Sequence, residues 1–280
     1  MHFLLSLITG IFLFAAIMVA NALQVLSLLI FPFSRHLFRR ANRWVAHCWW
    51  GLCVLWAEHI NHIHPVFSGD EIPEKENALV IVNHQTMPDI VAMMMLAWPK
   101  KRLGDMKWFV KDVIKFFPGV GWGMLFLDCI FLKRNWDQDA TNIKNTFSKF
   151  RTQNIPLWLL SFPEGTRLTP KKLKMAQDFA RKASHPEPRH VLIPRTRGFV
   201  ASVSGLRTHL DAVYDVTVIY PEGAPTMGVF LGQTNKKIHI HVRRYAIDDV
   251  PQDTEQLSKW LIERYQEKDL YIDKFNPQPA

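Results

Sequence analysis

Residues 3–31 carry no charged side chain, and the only strongly polar ones among them are Asn21 and Gln24. A stretch so apolar needs lipid or a deep core around it, and this narrows what the rest of the chain can build. As a helix it would run about 43 Å, more than a hydrocarbon core of about 30 Å. A cleaved signal fits poorly, because no Lys or Arg precedes the run and no small-residue cleavage site closes it. A buried core helix is the other reading; the expectation is a retained membrane helix.

Arg35, Arg39, Arg40 and Arg43 come next, followed by the Trp-rich apolar stretch 44–57, interrupted by His47. That second stretch is too short for a comfortable span and reads as embedded or re-entrant. A membrane-embedded helical hairpin over 1–58 is therefore expected, with the arginines between its segments at anionic headgroups on the cytoplasmic side. A single cytoplasmic domain over 59–275 would lie against the cytoplasmic membrane (the inner membrane in a bacterium), and 276–280 would form a tail. Cys48, Cys53 and Cys129 show no paired spacing, so no disulfide framework or zinc site is expected.

The net charge of +9, from 34 Lys plus Arg against 25 Asp plus Glu, favours anionic partners. Nucleic acid is excluded as the main one: there is no zinc-finger spacing, no long basic run and no aromatic pair on a recognition strand. His59, His62 and His64, like His239 and His241, lack companion ligands at diagnostic spacing, and no metal is expected.

Short β-rich apolar runs occur at 78–82, 129–132, 157–162, 191–193, 213–219 and 237–242. Helical patterns lie at 89–97, 137–150, 171–183 and 254–267, the last with Leu257, Leu261 and Tyr265 as its stripe. Strands alternating with helices predict an α/β fold, a single domain around a largely parallel or mixed central sheet. No repeat or Gly/Ser linker divides it.

Two clusters at strand ends could carry chemistry. His84 and Asp89 flank a predicted strand-to-helix turn, with Pro88 suited to the helix start. A carboxylate on one ring nitrogen fixes the tautomer of an imidazole and raises its basicity. No Gly-x-Ser-x-Gly elbow supplies a protein nucleophile, so the activated group belongs to a substrate or is water. Phe162-Pro163-Glu164-Gly165-Thr166-Arg167 follows the run at 157–162. Gly165 permits a tight turn, while Thr166 and Arg167 offer donors suited to phosphate. Glu164 is less natural beside an anion and either orients Arg167 or accepts from a substrate hydroxyl. Lys133 and Arg134 either add charge to the same pocket or form a solvated strand end. The segment 118–123 reads as a flexible apolar turn, and 107–111 as an amphipathic segment that either touches the membrane or packs as a helix.

These motifs resemble those of the lysophospholipid acyltransferase family, which includes the 1-acylglycerol-3-phosphate acyltransferases. His84 to Asp89 is similar to its first motif, a histidine and an aspartate separated by four residues, and 162–167 to its third. Weaker likenesses are Phe131-Leu132-Lys133-Arg134 to the second motif and Val191-Leu192-Ile193-Pro194 to the fourth. Residues 129–134 and 194–199 also resemble the lysocardiolipin acyltransferase branch. The resemblance implies that His84 deprotonates an acceptor hydroxyl, with Asp89 supporting its ring. It implies that Arg134, Glu164, Gly165, Thr166 and Arg167 meet the acceptor's phosphate end, and that Val191, Ile193 and Pro194 form a short apolar strand beside the acyl donor. The implied reaction transfers an acyl group from acyl-coenzyme A or acyl carrier protein to the sn-2 hydroxyl of 1-acylglycerol-3-phosphate, giving phosphatidic acid. It implies no cofactor, no covalent intermediate and no obligate protein partner, and it makes membrane phospholipids and lysophospholipids the surroundings. Alternatives are transfer to a lysocardiolipin or lysophosphatidylglycerol, hydrolysis, and a non-enzymatic membrane lipid-binding protein.

Overall fold

The computed structural model describes residues 2–133, 135–182, 186–232 and 237–275. Among these, seven strands form one sheet in the order β1-β7-β6-β2-β5-β3-β4: β1 (Pro65–Gly69), β2 (Ala78–Val82), β3 (Met106–Lys111), β4 (Ile130–Leu132), β5 (Trp158–Ser161), β6 (Ala212–Ile219) and β7 (Ile238–Ala246). Every adjacent pair is parallel except β6 with β7. The mixed sheet expected from the sequence is thus present. The central strand β2, Ala-Leu-Val-Ile-Val, is fully buried, as an unbroken apolar run requires when both faces of a parallel sheet are covered.

Helices supply the two covers. One apolar cluster joins Val80, Val82, Trp108 and Leu160 to α2 (Arg35–His59) and α3 (Asp89–Ala97). The other joins Leu79, Ile81 and Leu159 to α5 (Trp136–Thr152), α7 (Thr196–Leu206) and α9 (Thr254–Asp273). Alternate residues of β2 and β5 therefore serve opposite layers. The described helices also include α4 (Val120–Phe126), α6 (Pro170–Lys182) and α8 (Met227–Gly232).

The N-terminus differs from the expected embedded hairpin. Two helices form and pack together, but only the first, α1 (His2–Ser27), contains a segment, Leu4–Ser27, long and apolar enough to cross a membrane. The arginines do not lie between the helices. They belong to α2 itself, which starts at the Ser34 N-cap, where the hydroxyl accepts from the amide of Leu37. Arg39 pairs with Asp128 at 3.5 Å and Arg43 with Asp105, so two of the four meet acidic side chains of the sheet domain. Val45, Trp50 and Val54 of α2 are buried as well. Amphipathicity, not apolar length, makes this helix.

The burial of α1 is inverted relative to a soluble helix. Thr9, Asn21, Gln24 and Ser27 are buried, while Leu7, Ile11, Phe14, Val19 and Leu26 are exposed. The polar stripe holds the helix to the rest of the protein: Asn42 Nδ2 donates to Ser27 Oγ at 2.9 Å, and the Gly119 amide donates to Asn21 Oδ1 at 2.7 Å. Apolar atoms outward and polar atoms inward is the arrangement that suits lipid as the surrounding solvent.

Three local expectations change. Residues 107–111 lie in strand β3, with Trp108 buried. Residues 118–123 lead into α4 rather than forming a flexible turn. Residues 191–193 make no strand, because the amides of Val191 and Leu192 bond to side-chain carboxylates instead of a ladder. The tail at 276–280 lies outside the described residues.

Candidate active site at the ends of β2 and β5

Beyond Val82, the last residue of β2, the Asn83 side chain continues the pairing with β6: its amide donates to Val218 O at 2.9 Å and accepts from Val218 N at 2.8 Å. This fixes the exit of the chain and delivers His84 at the C-terminal edge of the sheet, where α/β folds place their sites. Pro88 and Asp89 then start α3.

Asp89 folds the turn around itself. Its Oδ2 lies 2.9 Å from His84 Nδ1 and accepts from the amides of Gln85 and Thr86 at 2.8 and 2.9 Å. Its Oδ1 accepts from the Tyr220 hydroxyl at 2.8 Å. The carboxylate is fully buried, and its partners are all donors. The imidazole must therefore donate through Nδ1, which leaves Nε2 with its lone pair. Burial beside Asp89 pushes the Tyr220 phenol well above its usual range, so Tyr220 stays a donor. Phe162 stacks on the His84 ring at 4.1 Å between centroids, and Trp108 lies behind it at 6.2 Å.

The turn after β5 is tied to the same place. Glu164 is 3% exposed; its Oε1 accepts from the His84 amide at 2.8 Å and its Oε2 from the Leu192 amide at 3.1 Å. Burial pushes its carboxyl up to about 8, against the pull of those two amides. The Leu168 amide donates to His84 O at 2.8 Å. Gly165 adopts φ +68°, and a Cβ there would stand 3.3 Å from Arg195 Nε, so the glycine lets the Arg195 side chain lie over the turn. Thr166 Oγ1 accepts from Lys172 Nζ at 2.5 Å, and Lys172 also reaches Arg167 O at 3.2 Å. Arg167 and Arg195 are both exposed. The turn is a small cationic surface beside the imidazole, and such donors match phosphate.

The segment 189–194 is held by α9. One Asp269 carboxylate accepts from the amides of Arg189, His190 and Val191 at 2.6–3.1 Å. Val191 and Pro194 are buried and Ile193 half-buried. Tyr265 of α9 donates to Val82 O at 2.9 Å, and the fully buried Lys268 ammonium joins Asp215 at 2.6 Å and Val216 O at 2.6 Å.

The structure thus brings together His84, Asp89, Glu164, Gly165, Thr166, Arg167 and the 191–194 segment. Arg134 lies outside the described residues; its neighbour Lys133 donates through its amide to Asp139 Oδ1 at 2.8 Å. Sequence reasoning missed Tyr220, Asp269 and the position of Arg195 over Gly165. The first two sit far along the chain from the turns they hold, and no motif spacing reports them. Among the described residues no group of three or more His, Cys, Asp or Glu could hold a metal ion.

Comparison with known proteins agrees along the chain. The family Acyltransferase matches residues 64–220, and Acyltransferase C-terminus matches 228–278. The chain is 36% identical over 273 residues to 1-acyl-sn-glycerol-3-phosphate acyltransferase 2 of Brassica oleracea, covering 95% of this chain and 70% of the relative. It is 30% identical to 1-acyl-sn-glycerol-3-phosphate acyltransferase delta of Homo sapiens, covering 98% and 74%. The crystal structure of the 1-acyl-sn-glycerophosphate acyltransferase PlsC from Thermotoga maritima superposes with a TM-score of 0.63 at 17% identity, covering 99% of this chain and 97% of that one. At that identity the superposition speaks for the fold alone.

Proposed function

Because the chain belongs to the acyltransferase family, we propose that the His84–Asp89 site performs the transfer carried by its relatives' names. The protein is an enzyme that acylates 1-acyl-sn-glycerol-3-phosphate to phosphatidic acid. The observation that carries the assignment of roles is the fixed tautomer of His84, with Nε2 free beside a cationic turn.

In this reading Nε2 takes the proton from the sn-2 hydroxyl as its oxygen attacks the thioester carbonyl. The C–O ester bond forms, the C–S bond breaks, and the same proton passes from His84 to the departing thiolate. Asp89 holds the ring and stabilises the imidazolium formed midway. Thr166, Arg167 and Lys172 meet the acceptor phosphate, with Gly165 keeping the turn low and Arg134 as a further candidate. Glu164 acts as a brace between His84 and Leu192, which explains an acidic side chain in a cationic turn. Val191, Ile193 and Pro194 form the wall towards the acyl donor.

The donor is acyl-coenzyme A or acyl carrier protein, with no cofactor. The outward apolar face of α1 places the enzyme on the membrane that holds its lysophospholipid. Helix α1 serves as the anchor, and the sheet domain with α2 packed against it, through residue 275, as the catalytic unit on the cytoplasmic side.

Purified protein in detergent, supplied with acyl-coenzyme A and 1-acylglycerol-3-phosphate, should form phosphatidic acid. His84→Ala should lower kcat by about a thousandfold or more while the fold is retained. Preference for lysophosphatidylglycerol or a lysocardiolipin would move the acceptor, and full activity in His84→Ala would sink the mechanism.

A further inference from the structure

Between β3 and β4 the chain runs through a short turn of 3-10 helix, Asp112–Phe116, into α4. None of the five residues in that turn is buried. Phe116 is 70% and Phe117 57% exposed, and Val113, Val120, Trp122 and Leu125 are exposed with them. Isolated surface apolar residues are ordinary, but six large ones within thirteen positions form a patch that water does not favour.

The segment is docked, not loose. A Cβ on Gly121 would clash with Ile114 O at 1.9 Å, so α4 lies directly on the preceding turn. Gly119 has φ +86°, and a Cβ there would stand 3.3 Å from Ile17 of α1. Its amide donates to Asn21, in the polar stripe of the same helix. The segment is therefore packed on the protein-facing side of α1, the helix whose other face is apolar and exposed. Charges border it: Lys111 is exposed, Lys115 is pinned by Asp112 at 2.7 Å, and Arg35 lies over Phe31, 5.6 Å from the ring centroid. Cations around an apolar face fit the headgroup layer of an anionic leaflet.

We propose that residues 112–126 are a second lipid-inserted element, which with α1 seats the protein on an anionic bilayer surface. The segment continues directly into β4 and Lys133, so inserting it sets the depth and tilt at which the site meets a lipid-resident acceptor. The docking inference stands on geometry and does not require the catalytic reading.

The test uses the full chain with Val113→Ser, Phe116→Ser and Phe117→Ser combined. Transfer to acceptor presented in phosphatidylcholine–phosphatidylglycerol vesicles should fall about tenfold, while transfer in detergent mixed micelles, which also reports folding, stays within about twofold. Equal effects in the two presentations overturn the proposal. Separately, Phe117→Cys bearing an environment-sensitive fluorophore, in a Cys48→Ser, Cys53→Ser background, should be quenched by nitroxide-labelled lipid. An unquenched probe overturns the proposal whether or not the protein transfers acyl groups, and self-association lost in the triple variant would then assign the face to a second copy. Wild-type protein inactive in micelles but quenched in vesicles would fail the catalytic reading and keep this one.

Discussion

His84 and Asp89 are joined across the turn from β2 to α3 by one contact, 2.9 Å between Nδ1 and Oδ2, and it decides which ring nitrogen is left for chemistry. Because two backbone amides and the Tyr220 hydroxyl also donate to Asp89, the carboxylate cannot turn away without leaving them unpaired.

Tyr220→Phe removes one of those donors without touching substrate. The expected outcome is a fall in kcat of about tenfold with KM for both substrates little changed, since a hydrogen bond to a charged group contributes about 1.5–3 kcal/mol. Steady-state kinetics checks it, and a KM effect alone would show that Tyr220 acts elsewhere.

Gly165→Ala tests the cationic turn. A left-handed φ costs a non-glycine residue about 1–2 kcal/mol, and the new methyl group would press on Arg195. KM for the acceptor should rise about fivefold or more as the turn that carries Thr166 and Arg167 shifts away from the phosphate. Donor KM and the stability of the rest of the fold should move less, which kinetics with each substrate varied in turn would show.

Glu164 predicts a pH dependence of stability. Its carboxyl sits at about 8 in the folded protein against an ordinary 4.5. Between those values the folded state binds a proton that the unfolded state has lost. Stability from this group is full below the lower value and is lost as pH rises through the higher one. Wild-type melting temperature in detergent should thus decline from about pH 5 to about pH 9, and Glu164→Gln should flatten the decline. A variant with the wild-type slope would place the titration on another group.

Asp269→Ala strands three backbone donors of residues 189–191. At about 1–3 kcal/mol for an unsatisfied buried group, part of it recovered by water, the loss should be about 2–4 kcal/mol in denaturant unfolding. Amide exchange at 189–192 should speed up first, while the amides of β2 remain protected.

Much of this was legible from the sequence for a local reason. His84 and Asp89 lie within one turn, and the strands at 78–82 and 213–219 announce themselves as apolar runs too short for helices. What stayed hidden was long-range. Lys107-Trp108-Phe109-Val110-Lys111 sets three apolar residues between two charges, a pattern that fits several structures, and only its place between β5 and β4 makes it a strand. Val191 to Ile193 has strand composition, yet carboxylates from α9 and from Glu164 take its amides. The stretch 44–57 carries the aromatic load of an embedded segment, yet Trp50 and Val54 bury against the sheet domain.

The hold of α9 on the site also has a consequence for synthesis. Tyr265 bonds to the carbonyl of Val82 across 183 residues of chain, and Asp269 follows four residues later. A ribosome exposes the His84 turn long before it releases the helix that steadies it. A chain under synthesis thus exposes α1 and the His84 turn well before α9, and the turn lacks its brace until α9 has left the ribosome.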